Sequence, residues 1–225
     1  MATIICGANS PHLSTVRPRG LKKHKPATGR KGQIIKFDRN DPSVIYAGSN
    51  GSGMYIGRNI TESIEWELIN DGLGTRVINS LLIDDSSDPA ILYIGANDSL
   101  YSRTTFPGES WETIENFNGR GVLSLSLAND GTLYASSFDG EIERSNDAGT
   151  SWTSITPGVS SSDIFGLTVI PHSNPNESKI YAGGSRGLFA TTSNTAIADS
   201  IWNAVHSGPQ IVSMAYDNRT PPTKI

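Results

Sequence analysis

Short stretches of this chain alternate apolar and polar residues. Val122-Leu123-Ser124-Leu125-Ser126-Leu127 is one of them, and a period of two is the pattern of a strand with one buried face. Asn129-Asp130-Gly131 follows as a tight turn, and Thr132-Leu133-Tyr134-Ala135-Ser136 reads as the next strand. Asp139-Gly140 is a hairpin signal and Glu141-Ile142-Glu143-Arg144 a third strand. A polar turn then runs to Trp152, and Thr153-Ser154-Ile155 is the fourth. The pattern predicts four short antiparallel strands joined by turns.

The same unit recurs. Tyr46, Tyr93, Tyr134 and Tyr181 each sit in an apolar-Tyr-apolar-small stretch, and Trp66, Trp111, Trp152 and Trp202 follow them by 18 to 21 residues. The tyrosines are 41 to 47 residues apart, a period that in an all-strand sequence marks a propeller or a similar array. Inner strands are expected at Val77–Ile83, Ile164–Ile170 and Ile211–Tyr216, with fourth strands beginning at the tryptophans. A fifth unit is divided between the ends. Thr3-Ile4-Ile5-Cys6-Gly7-Ala8-Asn9 matches Ile91-Leu92-Tyr93-Ile94-Gly95-Ala96-Asn97, and Ile211–Asp217 is an inner strand with no second strand after it. The expectation is an all-β, single-domain, five-bladed β-propeller over residues 1–225, with four antiparallel strands per blade. Pairing of the N- and C-terminal strands would close the ring and remove its open edge. A piece cut from a longer propeller is the competing reading.

Ser145-x-Asp147-x-Gly149-x-Ser151-Trp152 resembles the Asp-box, or BNR repeat, whose pattern is Ser-x-Asp-x-Gly-x-Thr-Trp. Gly108-x-Ser110-Trp111 keeps the end of the box, and the units at Trp66 and Trp202 keep little beyond the Trp. Such repeats occur in sialidases, xyloglucan-degrading glycosidases, sortilin-type receptors and photosystem II assembly factors, where the box is a structural turn away from the catalytic face. The resemblance implies the fold and a folding role for Asp147 and Trp152, and fold alone does not fix function.

Composition narrows the function classes. The formal net charge is −4, which disfavours nucleic acid or an anionic membrane as the partner of the whole molecule. No apolar run reaches spanning length, and the N-terminus does not read as an export signal, so a cytoplasmic or virion location is expected. The lone cysteine, Cys6, rules out an intrachain disulfide. His12, His24, His172 and His206 lack ligand spacing, so neither a metal nor any other cofactor is expected. Charge is unevenly spread: nine of the 18 basic residues lie between Arg17 and Arg39, while residues 40–225 balance at −12. A basic first unit on an acidic array suits docking to an acidic partner, or to the acidic side of another copy.

No pair of carboxylates sits in a recognisable glycosidase motif, and Asp84-Asp85 read as a solvated turn. The recognition face is expected where loops lead into the inner strands. Arg30, Arg76 and Arg120 each precede such a strand, and the neighbouring turns supply Asn97, Asp98, Asp139 and Arg186. Arginines around one opening would offer forked donors to carboxylate, sulfate or phosphate. The expected function is a non-catalytic protein-interaction or structural subunit of a larger assembly, such as a phage virion. A lectin-like glycan binder and a divergent glycoside hydrolase are the alternatives.

Overall fold

The computed structural model describes residues 34–60, 63–156, 164–171, 177–193, 202–211 and 214. These form four antiparallel sheets of four strands, each following chain order. The first holds β1 (Ile34–Phe37), β2 (Ile45–Gly48), β3 (Met54–Arg58) and β4 (Glu65–Leu68). The second holds β5 (Ile78–Asp84), β6 (Ile91–Ala96), β7 (Leu100–Thr104) and β8 (Glu112–Thr113). The third holds β9 (Val122–Leu127), β10 (Leu133–Ser137), β11 (Ile142–Ser145) and β12 (Thr153–Ser154). The fourth holds β13 (Ile164–Pro171), β14 (Ser178–Gly184), β15 (Gly187–Thr192) and β16 (Asn203–Ser207). The first strands of successive sheets lie against one another, β1 on β5, β5 on β9 and β9 on β13, which is the radial order of a propeller-like array.

Four sheets are present among the described residues, against the five expected. Most of the fifth unit falls on residues 1–33 and 212–225, so the ring closure lies outside the described residues. Ile211, expected to begin its inner strand, is not in a strand, although its N–H donates to Gly184 O at 3.0 Å. The outer strands also differ from expectation. β8 and β16 begin one residue after their tryptophans, β12 begins at Thr153 as expected, and β8 and β12 are only two residues long. A 3₁₀ turn, Glu115–Phe117, occupies part of the loop expected before β9.

The packing between sheets explains the small residue that follows each tyrosine by two positions. A Cβ on Gly48 would lie 2.8 Å from Ile78 Cγ2, and one on Gly183 would lie 2.6 Å from Ile211 Cγ2. At Gly95 it would meet Val122 Cγ1 at 2.8 Å and the Val122 carbonyl at 3.0 Å. The third sheet has Ser136 there, and its hydroxyl donates to Ile164 O at 3.1 Å. The start of each inner strand therefore seats in a notch of the preceding sheet. Polar side chains complete the seam: the Ser124 and Ser126 hydroxyls accept the N–H groups of Leu167 and Val169, at 3.0 and 3.2 Å.

Aromatic residues fix the outer ends. Trp111 Nε1 donates to Ile69 O of the first sheet at 2.6 Å, and Trp202 Nε1 to Ile155 O of the third at 2.7 Å. Trp152 Nε1 bonds its own turn at Gly149 O, and its ring meets Phe117 edge-on, centroids 4.9 Å apart. Tyr93 donates to Ala148 O across the next seam, and burial pushes its phenol up to about 12.

The Asp-box-like turn is closed by its own side chains. Ser145 Oγ donates to Asp147 Oδ1 and accepts from Gly149 N–H, and Asp147 Oδ1 also accepts the Ser151 N–H. The hydrogen bonds from the Ser151 hydroxyl and N–H, then that from Ser145, hold the Asp147 carboxyl down to about 2.

Two predictions follow from these contacts. Gly95→Ala drives a methyl into backbone and should cost about 1–3 kcal/mol in urea unfolding, whereas Ser136→Ala loses one hydrogen bond and should cost about 1 kcal/mol. The folded-state pKa of Asp147 lies below its ordinary value of 3.8. Its contribution is thus complete above that value and is lost as pH falls towards 2. Asp147→Asn should melt lower than wild type at neutral pH, and the gap should narrow as pH falls from about 4 to about 2.

Candidate functional site

Turns between second and third strands lie beside the loops that lead into the next inner strands: the Gly51 and Gly53 N–H groups donate to Arg76 O, and Phe138 N–H to Gly121 O. Arg76 precedes β5, is exposed, and turns Nη1 onto the Leu73 and Thr75 carbonyls at 2.9 and 3.3 Å. Asn97 and Asp98 form the turn between β6 and β7. Asn97 Oδ1 accepts from Asn79 Nδ2 at 3.1 Å, and Asp98 Oδ2 accepts from the Tyr101 hydroxyl at 2.8 Å. Arg186 is exposed in the turn between β14 and β15. Arg30 lies outside the described residues.

Arg120 and Asp139 are brought together, but as partners of each other. Arg120 Nε donates to Asp139 Oδ2 at 3.0 Å, Nη2 to Glu141 Oε2 at 2.8 Å and Nη1 to Glu143 Oε2 at 3.4 Å. The guanidinium also covers the Phe117 ring, 5.4 Å from its centroid. Burial works against its charge, and the Asp139 hydrogen bond with the Glu143 charge outweighs that, raising its pKa. Burial likewise opposes the charge on Asp139, and hydrogen bonds from Ser137 and Arg120 prevail, so its pKa falls. Three carboxylates around one cation make this a tie between β9, β10 and β11. The alternation that marked Glu141 and Glu143 as strand positions concealed them as partners, since their reach to Arg120 depends on how β11 lies beside the loop before β9.

At the other end of the inner strands a cleft of about 370 Å³ is lined by Lys36, Phe37, Arg39, Asp84, Asp85 and Asn129, among others. Arg39 Nη1 lies 3.5 Å from Asp85 Oδ2, linking the first sheet to the second. At 83% exposure of Arg39 the link contributes little stability. Asp84 is buried and accepts the Ser86 N–H at 3.0 Å. Phe37 is 48% exposed beside these charges. Sequence reasoning placed Lys36 and Arg39 in the basic first unit and read Asp84-Asp85 as a solvated turn without joining them; Asp84 instead ends β5 and is buried, against the solvation expected of it. Their common phase, each at the end of an inner strand, was the available signal.

No protein-family model matches the chain, and no curated protein matches it in sequence. Solved structures match its fold. An ancestral GH74 enzyme superposes with a TM-score of 0.63 at 19% identity, over 80% of this chain and 25% of its own. The extracellular domain of BT4673 from B. thetaiotaomicron gives 0.59 at 14%, over 78% and 24%. The GH74 enzyme of Niastella koreensis gives 0.57 at 20%, over 75% and 28%. The chain spans about a quarter of the length of these proteins. At such identities the likeness is one of fold: all-β, propeller-like sheets.

The Arg120 cluster yields a test. Glu143 is buried, with Arg120 and the Asn116 amide as its partners. Arg120→Ala should cost about 1.5–3 kcal/mol in urea unfolding. Adding Glu143→Gln to that variant should recover part of the loss, because no buried charge is then left uncompensated.

Proposed function

We propose that the chain is a non-catalytic binding module that offers the cleft at the ends of β1, β5 and β9 to a protein partner, or to another copy of itself within an assembly. The observation that carries the reading is the charge arrangement there. Lys36 and Arg39 stand on one side, Asp84 and Asp85 on the other, and Phe37 is exposed among them. Ile35, on the same face of β1 as Phe37, is also exposed. An apolar centre with a charged rim is the anatomy of a protein interface, and a rim of both signs fixes orientation. Asp84 and Asp85 leave one strand end together, whereas glycosidic hydrolysis uses carboxylates on opposite sides of the bond. A virion is one assembly that would use such a module.

Glycan binding is the second reading. An exposed aromatic ring next to carboxylate and amide acceptors, here Phe37 with Asp85 and Asn129, suits a sugar's apolar face and its hydroxyls. The GH74 enzymes among the fold neighbours are consistent with it.

The deciding experiment is native mass spectrometry of the protein purified from its source, in parent form and as Phe37→Ala/Arg39→Glu. A bound partner or higher oligomer that disappears in the variant, with melting unchanged, supports the protein interface. A glycan-array signal that depends on Phe37 moves the reading to glycan. Turnover of fluorogenic glycosides would sink both.

A further inference from the structure

We propose that the space between the first and second sheets is a receptor for a compact oxyanion, gripped by Arg58 and Arg103. Arg58, Arg103 and Arg144 each stand eight residues before a tryptophan of the repeat. Their directions differ. On β11, Arg144 pairs with Tyr134 and so shares its face. Arg58 lies two residues beyond Ile56, the partner of Tyr46, and also shares the tyrosine's face, towards the following sheet. In the second sheet Tyr93 pairs with Ser102, and Arg103 pairs with Leu92. A one-residue change of register turns a side chain to the other face. Arg103 therefore points back towards the first sheet, where it meets Arg58 across a small pocket of about 50 Å³ that Tyr46, Glu67, Thr104 and Thr105 also line.

Loss of the turn motif leaves this space open. One seam further on, the Asp-box-like turn of the third sheet comes up to Tyr93, whose hydroxyl donates to Ala148 O at 3.1 Å. Counting back from Trp111 as from Trp152, the second sheet has Phe106 in place of Asp147 and Thr104 in place of Ser145. Phe106 is 60% exposed, turned out to solvent. Tyr46 reaches no such turn; its hydroxyl faces Asp38 at 3.5 Å.

Arg103 is the cation short of an acceptor, while Arg58 is exposed at the rim of the pocket. Arg103 Nε is buried with no hydrogen-bond partner. The ion pairs found among the described residues are those of Arg39 and Arg120, so neither Arg58 nor Arg103 is in one. Arg144, whose Nε is also buried and unpartnered, at least reaches Ser193 O with Nη1 at 3.5 Å. The charges of Glu67, Glu109 and Asp71 act on Arg103 from a distance, and burial outweighs them. A sulfate, phosphate or carboxylate group would supply the acceptor that Nε lacks and would match the planar fork of a guanidinium. The threonine hydroxyls can donate to its remaining oxygens.

The test follows arginine Nε–H resonances in 15N–1H spectra as sodium sulfate or glucuronate is added at constant ionic strength, with glucose as the neutral control. The Arg103 resonance should shift saturably with at least one anion and not with glucose, while exposed Arg186 shows no saturation. Sulfate alone, glucuronate alone, or both would support the site and tell sulfate from carboxylate. Arg103→Leu should abolish the response. Phe106→Asp changes an exposed position and restores the missing carboxylate; it should weaken anion binding at least about tenfold, equivalent to ~1.4 kcal/mol. Non-saturating shifts, saturation with glucose, or unchanged affinity in Phe106→Asp would overturn the proposal.

Discussion

Sheets in this array approach until the start of one inner strand touches backbone of the sheet before it, and only a residue with almost no side chain permits that. Gly48, Gly95 and Gly183 occupy these points, and the Val122 carbonyl would lie 3.0 Å from a methyl at Gly95. A methyl there would also meet Ser80 Oγ and, at 2.8 Å, Val122 Cγ1, so side chains and the facing carbonyl would both have to give way in a close-packed seam. Ser136 is the informative exception, since its hydroxyl turns the close approach into a hydrogen bond with Ile164 O. The buried tyrosines, the tryptophans at the outer ends and the serines along β9 all depend on that spacing.

Much of the fold was legible in the sequence because period-two alternation and turn residues are local signals. β9 runs over Val122–Leu127 as expected, and Asn129-Asp130-Gly131 makes the tight turn, with Gly131 at a φ of 84°. The outer strands were less legible. Their length depends on how far each reaches along its neighbour, and β8 and β12 stop after two residues. The site was least legible of all. That Arg120 is held by Asp139, Glu141 and Glu143 follows from where β11 lies beside the loop before β9, which no spacing in the chain encodes. That Arg103 points to the first sheet follows from its pairing with Leu92 rather than Tyr93, a register that the hydrophobic pattern of Leu100–Thr104 does not distinguish.

The three arginines that stand eight residues before a tryptophan show how one position of the unit acquires different surroundings. Arg144 reaches a backbone carbonyl of the fourth sheet, while Arg58 and Arg103 face each other over a pocket. What separates the cases is the turn between the third and fourth strands. Where the turn has an aspartate, as at Asp147, it reaches the preceding sheet through Ala148 O; where that position is Phe106, a pocket lies in the seam. A different turn at the same position of the unit thus accompanies a polar pocket between sheets.

Each seam is held at two separated points. The first and second sheets meet at Gly48 with Ile78 and again at Trp111 with Ile69. The second and third meet at Gly95 with Val122 and at Tyr93 with Ala148. The third and fourth meet at Ser136 with Ile164 and at Trp202 with Ile155. One point of attachment makes a hinge; two make a brace. Sheets braced in this way cannot pivot about their inner strands. The cleft shared by the ends of β1, β5 and β9 is therefore held in one shape, and a molecule that fits it would bind without a cost of reorganising it.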